Sequence, residues 1–277
     1  MDLSEKAPVK PWFEWYDAPP AEFGVLGDPI AHSLSPLMQE AAFSVLDLPY
    51  RFEAIRVPVD QFDEAVDHLS NLGYLGLNVT VPLKEVAYQW ALTTDELTGR
   101  IKAANTLKLE DKTATNTDAP GILDVLLDLE VVPPASVLLL GAGGAARAVA
   151  AALNRAGYPF SVHNRSREKA EEMIAELGLA GQVLSAPDPI GFKLILNATS
   201  ASLEGAMIPM DWERALPGTI ALDLVYGDGP TPFMAAAAAN GVPAHDGKTL
   251  LVAQGARSLE WWLGVEAPRS AMLKAIS

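Results

Sequence analysis

Short apolar runs alternate with amphipathic stretches along the chain from Phe23 onward. Apolar runs are typical of buried strands, and apolar positions spaced three or four residues apart are typical of helices. The first half of the chain yields strands at 22–27, 50–57, 75–80, 105–110 and 113–117, and helices at 35–48, at 59–72 and from Lys84. Strands that alternate with helices predict an α/β fold with a mostly parallel sheet.

The same alternation continues through the second half of the chain. It predicts strands at 136–140, 159–164, 193–199 and 219–225, and helices at 121–130, 146–157, 231–241 and 249–264, with one more helix at the end. Residues 1–21 hold four prolines and two tryptophans without any periodicity. For this segment we expect an extension that packs loosely on the surface.

Composition narrows the class of protein and of partner. A chain of 277 residues with 49% hydrophobic residues can form about two globular domains. Lys and Arg number 20 and Asp and Glu number 35, so the net charge is −15. Such an acidic chain is a poor binder of nucleic acid or of anionic membranes, although a local pocket can still bind a small anion.

The chain contains no cysteine, which excludes disulfides, thiolate catalysis and Cys-based metal sites. Its four histidines show no metal-ligand spacing, so we expect no metal. No signal-peptide core and no run of apolar residues long enough to cross a membrane is present. We therefore expect a soluble, cytoplasmic protein.

The strongest local signal is the segment GAGGAA, which lies between a predicted strand and a predicted helix. It fits the pattern G-x-G-x-x-A with Gly141, Gly143 and Ala146. In a βαβ unit of about 30 residues, this pattern indicates a dinucleotide site: a tight turn, close approach of a pyrophosphate, and a helix packed on a strand. A tight turn without a ligand is the alternative.

The residues after the next strand indicate which dinucleotide would bind. NAD sites usually carry an acidic residue there, which accepts a hydrogen bond from the ribose 2′-hydroxyl. This chain has Asn164, Arg165, Ser166 and Arg167, and Glu168 lies further on, in the next helix. Because arginine pairs with a 2′-phosphate, we predict a preference for NADP. A solvated basic cluster at a helix start is the alternative.

Polar clusters mark the first half of the chain. Ser33 and Ser35 precede a helix, where hydroxyl and backbone N–H groups suit a carboxylate, although simple N-capping explains them as well. Asn78 and Thr80 share one face at a strand end, and Lys84 begins the next helix. A lysine there opposes the helix dipole, with an ordinary surface lysine as the alternative.

Two further polar positions belong with these clusters. Asn105 opens a strand, and Asp118 precedes a helix. Helix capping by Asp118 would account for that aspartate alone. Together with a dinucleotide site, the polar clusters indicate a hydroxyl-rich substrate that carries a carboxylate.

Nine segments occur along the chain in a characteristic order, namely GVLGDPIAHSLSP, GLNVTVPLKE, AANTL, NTDAPG, GAGGAARA, NRSREKA, NATS, DLVYG and LLVAQGA. With these segments the sequence resembles the shikimate dehydrogenase family from about residue 23 to residue 277. The family reversibly reduces 3-dehydroshikimate with NADPH. The resemblance implies two α/β domains with a cleft between them. Residues 1–118, completed by 249–277, would bind the substrate, and 119–248 would form a Rossmann-type NADP domain.

The resemblance also implies roles for matching residues. Ser33 and Ser35 would hold the substrate carboxylate, and Lys84 and Asp118 would form the catalytic pair. Other substrate contacts would come from Asn78, Thr80, Asn105, Tyr226 and Gln254. The cofactor would be bordered by Gly141, Ala142, Gly143, Gly144, Ala145, Asn164, Arg165, Ser166, Arg167, Glu168, Lys169, Leu224 and Gly247.

The chain departs from the family pattern at three places. Thr249 replaces a glycine after Gly247, the segment 227–230 reads Gly-Asp-Gly-Pro, and 201–205 reads Ala-Ser-Leu-Glu-Gly. Two other functions stay open: an oxidoreductase for quinate or another cyclic polyol, and a non-catalytic nucleotide sensor of the same fold. The sequence is compatible with a monomer or a homodimer.

Overall fold

The computed structural model describes residues 12–227 and 229–277. Its strands are β1 (Phe13–Glu14), β2 (Phe23–Gly27), β3 (Phe52–Arg56), β4 (Gly76–Val79), β5 (Thr93–Thr94), β6 (Thr106–Lys108), β7 (Thr113–Thr115), β8 (Val137–Leu140), β9 (Phe160–His163), β10 (Gln182–Val183), β11 (Leu194–Asn197), β12 (Ile220–Asp223) and β13 (Ala244–His245). Its helices are α1 (Ser35–Val45), α2 (Phe62–Asn71), α3 (Lys84–Trp90), α4 (Glu96–Ile101), α5 (Asp118–Asp128), α6 (Gly144–Arg155), α7 (Arg167–Leu177), α8 (Pro232–Ala239), α9 (Lys248–Leu263) and α10 (Arg269–Ala275).

The contacts between residues divide the chain into two units. The first comprises the chain up to Thr98 with Lys102–Thr115 and Ser258–Ile276, and the second comprises Gly99–Ile101 and Asn116–Arg257. The division between Arg257 and Ser258 falls inside α9. Each unit contains one sheet, so the expected α/β class with parallel sheets is confirmed.

The sheet of the first unit has the strand order β1-β3-β2-β4-β6-β7-β5. Its strands pair in parallel except where β6 pairs with β4 and with β7. Every residue of β2 and of β4 is buried, as expected for central parallel strands covered on both faces. On α2, Phe62, Val66 and Leu69 are buried on one face, as the periodicity predicts.

The segment before Phe23 differs from the prediction of a loose extension. Residues 1–11 lie outside the described residues, but Phe13 pairs in parallel with Ile55 at the edge of the sheet. The Trp15 indole N–H donates to the Gln61 side chain at 2.8 Å, and the Tyr74 hydroxyl donates to the Pro19 carbonyl at 2.9 Å. The outer edge of β3 offers backbone groups with which β1 can pair. Because β1 has only two residues, it shows no periodicity in the sequence.

The sheet of the second unit is entirely parallel, in the order β10-β9-β8-β11-β12-β13. The chain starts at β8 and moves outward to β10, then returns to β11 beside β8 and moves outward to β13. This reversal is the doubly wound arrangement of a Rossmann-type fold, and it creates a switch point between β8 and β11. The unit therefore has the predicted Rossmann-type architecture.

Some element boundaries differ from those predicted. Helix α5 begins at Asp118 rather than at Gly121, and α6 begins at Gly144 rather than at Ala146. The periodic pattern marks only buried positions, so it misses the polar or glycine residues of a first turn. Besides β1, four more short strands and helices were not predicted, namely β5, α4, β10 and β13.

A hydrogen-bond cluster surrounds Asp95, which caps α4. Its carboxylate accepts from the Thr98 and Thr115 hydroxyls, both at 2.6 Å, and from the Thr98 backbone N–H at 2.9 Å. Burial alone would raise the pKa of Asp95, but these hydrogen bonds outweigh it and lower the pKa below its ordinary value of 3.8. The carboxylate form is thus favoured in the folded state.

We predict a pH-dependent effect of Asp95→Asn on stability. Because the folded pKa is depressed, the carboxylate stabilises the fold above the unfolded pKa, and this contribution is lost as the pH falls through the folded pKa. Asp95→Asn should lower the Tm at about pH 6 and have little effect at about pH 2. Thermal unfolding by circular dichroism tests this, with the exposed Asp60→Asn as the control. An equal loss at both pH values would contradict the prediction.

Candidate functional site

In the first unit, two loops meet at one edge of the sheet. Strands β2 and β4 are parallel neighbours, so the loops that follow them leave at the same edge. The Thr80 N–H donates to the Leu26 carbonyl at 2.8 Å, and the Asp28 N–H donates to the Val81 carbonyl at 3.2 Å. A Cβ on Gly27 would lie 2.6 Å from the Thr80 methyl group, so only glycine leaves Thr80 in place.

The loop after β2 carries Ser33 and Ser35. The N-cap of α1 is Leu34, and no side chain caps this helix, so the capping alternative does not account for the serines. Instead, the Ser33 hydroxyl accepts from the Ser35 backbone N–H at 3.3 Å. Ser35 is buried and Ser33 is half-buried. Because the Ser35 N–H is already donated and Pro36 has no N–H, the two serine hydroxyls are the main donors that a carboxylate would find at this turn.

The loop after β4 leads to Lys84, the first residue of α3. The Lys84 carbonyl accepts from the Ala104 N–H at 2.9 Å, and the Asn105 carbonyl accepts from the Val79 N–H at 2.8 Å. Backbone hydrogen bonds therefore bring the Lys84 and Asn105 positions to the edge that also carries Thr80. Lys84 is half-buried, so it is not an ordinary surface lysine.

A buried polar network lies behind this edge. The Asn78 side-chain amino group donates to the Ser258 hydroxyl at 2.9 Å, and to the Thr106 hydroxyl and the Asn105 carbonyl at 3.1 Å each. Thr106 in turn donates to the Asn105 side-chain oxygen at 3.1 Å. The network thus fixes both the backbone and the amide orientation of Asn105. Sequence reasoning missed Thr106 and Ser258, because a single hydroxyl in a strand or helix gives no signal.

In the second unit, the glycine-rich turn links β8 to α6. Gly141 has φ +116°, a conformation that favours glycine, and its N–H donates to the His163 carbonyl at 2.8 Å. Gly143 and Gly144 are exposed, and a Cβ on either would meet nothing within 4 Å. No side chain caps α6, so its first amides can bind an anion. An open cradle of this kind fits a pyrophosphate.

The basic segment after β9 has a defined pattern of contacts. The Ser166 hydroxyl caps α7 by accepting from the Lys169 N–H at 3.4 Å, and it donates to the Glu168 carboxylate at 2.8 Å. The Glu168 backbone N–H and this hydroxyl lower the pKa of Glu168 below its ordinary value. Arg167 pairs with Glu171 at 2.7 Å. The Asn164 side chain donates to the Ser166 carbonyl at 2.8 Å.

Arg165 differs from its neighbours. Its side chain is exposed, and within 12–227 and 229–277 the guanidinium contacts no acidic side chain. Its five donors are thus available to a phosphate, whereas those of Arg167 are shared with Glu171. A positively charged guanidinium with available donors, such as that of Arg165, fits a ribose 2′-phosphate better than a 2′-hydroxyl.

Leu224 and Gly247 lie in direct contact. A Cβ on Gly247 would collide with the Leu224 carbonyl, so this backbone approach requires glycine. The Gly247 N–H donates to the Val225 carbonyl at 3.1 Å.

Three further residues lie near this backbone contact in the sequence. Tyr226, which follows Val225, is half-buried. On α9, the Gln254 side chain donates to the Leu251 carbonyl at 2.9 Å. The Thr249 hydroxyl oxygen is buried and has no hydrogen-bond partner among the described residues.

The expectation that Asp118 caps a helix is wrong. Asp118 is the first residue of α5, its N-cap is Thr117, and the Ala119 N–H donates to the Asn116 side-chain oxygen at 3.2 Å. The helix begins earlier than its periodic part, which moves the capping role to Asn116. The carboxylate of Asp118 is therefore not used for capping. The sequence offered Asn116 as part of the same polar run but gave no sign of its role.

The predicted site residues fall into the two units as follows. The first unit carries Ser33, Ser35, Asn78, Thr80, Lys84 and Asn105. The second unit carries Asp118, Tyr226, Gln254 and all of the predicted cofactor residues.

Across 12–227 and 229–277, no cluster of three or more His, Asp or Glu side chains could hold a metal ion. In the same ranges, no helix is long and apolar enough to cross a membrane.

Family models match two parts of the chain. Residues 25–107 match the shikimate dehydrogenase substrate binding domain, and residues 249–276 match the shikimate 5′-dehydrogenase C-terminal domain. A shikimate dehydrogenase (NADP(+)) from Anaeromyxobacter sp. (strain Fw109-5) is 38% identical over 272 residues, which cover 93% of this chain and 96% of that relative.

Solved structures are similar over the same extent. Shikimate 5-dehydrogenase from Thermus thermophilus, in complex with NADP(H) and shikimate, is 35% identical with a TM-score of 0.84, covering 91% of this chain and 97% of that one. Ligand-free 5-ketofructose reductase of Gluconobacter sp. strain CHM43 is 28% identical with a TM-score of 0.82, covering 92% and 96%.

The open space over the glycine turn generates a prediction for Gly143→Ala. Gly143 has φ −85°, which any residue can adopt, so the new methyl group should leave the fold intact. The methyl group should instead obstruct a pyrophosphate and raise the KM for NADP by about tenfold or more. Steady-state kinetics and the Tm measured together test this. An unchanged KM for NADP would show that the turn does not bind the cofactor.

Proposed function

Because this chain belongs to the shikimate dehydrogenase family, we propose that it catalyses the reversible, NADPH-dependent reduction of 3-dehydroshikimate to shikimate. The observation that carries this proposal is the match to a shikimate dehydrogenase over 93% of the chain, which includes both the polar edge of the first unit and the glycine turn of the second. A cytoplasmic location, and a monomer or homodimer, stay predictions.

We propose that residues 119–248 hold the cofactor. The turn Gly141–Ala145 and the first amides of α6 would receive the pyrophosphate, since Gly143 and Gly144 leave open space and no side chain caps the helix. Arg165 would pair with the 2′-phosphate, and Asn164 and Ser166–Lys169 would shape the loop around it. Leu224 and Gly247 would border the cofactor. When bound, NADPH supplies the hydride.

We propose that residues 1–118, with 249–277, bind the substrate. Ser33 and Ser35 would hold the carboxylate through their hydroxyls, and Thr80 and Asn105 would bind ring hydroxyls. Tyr226 and Gln254 complete the predicted contacts. Asn78 would contact the substrate through its side-chain oxygen, because its amino group is shared among three oxygens whereas the buried oxygen has no hydrogen-bond partner among the described residues.

The proton is the part of the reaction that protein side chains must supply. We propose that Lys84 gives a proton to the carbonyl oxygen during reduction and takes it back during oxidation. Asp118, whose carboxylate is not used as a helix cap, would accept a hydrogen bond from a substrate hydroxyl and orient it. Proton transfer from a positioned group is worth about 10²–10⁴ in rate.

One assay separates the candidate functions. Absorbance of reduced cofactor is followed with shikimate or quinate and with NADP or NAD, and NADPH oxidation is followed with 5-ketofructose. The similarity to 5-ketofructose reductase favours including that ketone as a second candidate substrate. We expect the largest kcat/KM with shikimate and NADP. A larger kcat/KM with quinate or 5-ketofructose would show that shikimate is not the preferred substrate. Cofactor binding without any turnover would favour a non-catalytic nucleotide sensor.

We predict that Arg165→Asp weakens NADP binding selectively. The change replaces a phosphate partner by a repelling charge, so the KM for NADP should rise by about tenfold or more while the KM for NAD changes little. Arg155→Asp is the matched control, because Arg155 is an exposed arginine of the same unit at the far end of α6. An unchanged ratio of the two KM values in Arg165→Asp would remove Arg165 from this role.

We predict that Lys84→Ala lowers kcat by about 10²–10⁴ and leaves the KM for shikimate within a few-fold. Lys274→Ala, an exposed lysine of the same unit, is the control. A large KM effect with near-native kcat would show instead that Lys84 only anchors the substrate.

A further inference from the structure

The second unit contains a carboxylate that is completely buried, that of Asp223, the last residue of β12. It accepts hydrogen bonds from the Ser202 and Thr231 hydroxyls at 2.6 Å each, and from the Asn197 side chain at 2.9 Å. The Val225 backbone N–H adds a fourth donor at 3.1 Å. A buried charge is costly unless hydrogen bonds compensate it, so these four donors have to stay in place around the carboxylate.

The donors tie two loops to this one carboxylate. Ser202 belongs to the loop after β11, and Val225 and Thr231 bracket the loop after β12. Thr231 also caps α8 by accepting from the Met234 N–H at 3.2 Å. Val225 and Thr231 are therefore held by the same side chain.

Asn197 extends the network toward the glycine turn. Its side-chain oxygen accepts from the Thr199 hydroxyl at 2.7 Å and from the Thr199 N–H at 3.0 Å. A Cβ on Gly141 would lie 3.1 Å from the Ala198 carbonyl, so the loop after β11 closely approaches the turn. Asn197 pairs in register with Leu140 on one side and with Asp223 on the other. The network therefore lies at the same carboxyl edge of the sheet as the glycine turn.

The position of this network indicates which half of a dinucleotide it serves. In a doubly wound sheet, the ligand crosses the carboxyl ends of the strands at the switch point, here between β8 and β11. Arg165 follows β9, on one side of β8, and would receive the adenosine half with its 2′-phosphate. The nicotinamide half would then extend over the loops after β11 and β12, which the Asp223 network holds.

We propose that Asp223 is a positioning residue for the nicotinamide half of the cofactor. It acts through Ser202, Val225 and Thr231, which lie in the loops after β11 and β12, and it does not touch the cofactor itself. The inference rests on the proposed function, since it takes NADP as the ligand.

Asp223→Asn tests the proposal with little change of shape. An amide offers one acceptor oxygen instead of two, so it cannot accept from all four donors. We expect the KM for NADP and the Kd for NADPH to rise by about tenfold. The KM for shikimate and the Kd for 2′,5′-ADP, which carries only the adenosine half, should stay within about twofold.

Asp95→Asn is the matched control, because Asp95 also accepts from two threonine hydroxyls and a backbone N–H but lies in the other unit. It should lower the Tm without changing any cofactor constant. If Asp223→Asn also lowers only the Tm, the network is merely structural and the proposal is wrong. If the 2′,5′-ADP constant rises as much as the KM for NADP, the whole unit is disturbed and the proposal is likewise overturned.

A second pair of variants covers the case in which Asp223→Asn does not fold. Thr231→Val removes one hydroxyl donor at constant shape, and Thr231→Ser keeps it. We expect the Kd for NADPH to rise in Thr231→Val and to return to near the native value in Thr231→Ser. Equal NADPH affinities in the two variants would overturn the proposal.

The NADPH and 2′,5′-ADP titrations do not depend on turnover. If the native protein fails to oxidise shikimate but the Asp223→Asn variant still loses NADPH affinity selectively, the proposed function fails and the inference on Asp223 stands. If shikimate is oxidised and the two affinities do not separate, the inference fails and the proposed function stands.

Discussion

Parallel pairing of neighbouring strands is the constraint on which both candidate regions depend. Strands β2 and β4 in one sheet, and β8, β11 and β12 in the other, run in the same direction, so the loops that follow them leave at one edge. Residues far apart in sequence, such as Ser33 and Lys84, are carried to the same edge by this pairing. The interior strands are buried, and the residues proposed to meet the ligands therefore lie mainly in the loops and at the strand ends.

Each edge is supported by a buried polar group with several hydrogen-bond partners. Asn78 lies behind the edge of the first unit and holds Asn105, and Asp223 lies behind the edge of the second and holds two loops. Removing one partner from such a network leaves another buried polar group unsatisfied, which costs more than a single surface hydrogen bond. The loops can therefore be irregular in structure and still be held in place.

The basic segment shows how neighbouring charges acquire different roles. Arg165 and Arg167 are identical in type and two residues apart, yet Arg167 lies on α7, where Glu171 is one turn away and forms an ion pair with it. Arg165 precedes the helix and has no such neighbour on that surface of the described chain. The start of one helix thus decides which guanidinium remains available for a phosphate.

Hydrophobic periodicity alone determined the α/β class, most of the longer helices and strands, and the position of the glycine turn, because burial imposes a regular spacing on apolar residues. Periodicity did not predict the strand Phe13–Glu14, because an edge strand of two residues is too short to show a period. Periodicity did not predict the start of α5 either, and therefore did not show that Asn116 rather than Asp118 caps the helix. Only the tertiary structure decided that Asn78, Thr106 and Ser258 share one network, and that Asp223 has four donors. Hydrogen bonds between residues distant in sequence depend on strand order and register, and a linear pattern of residue types contains neither.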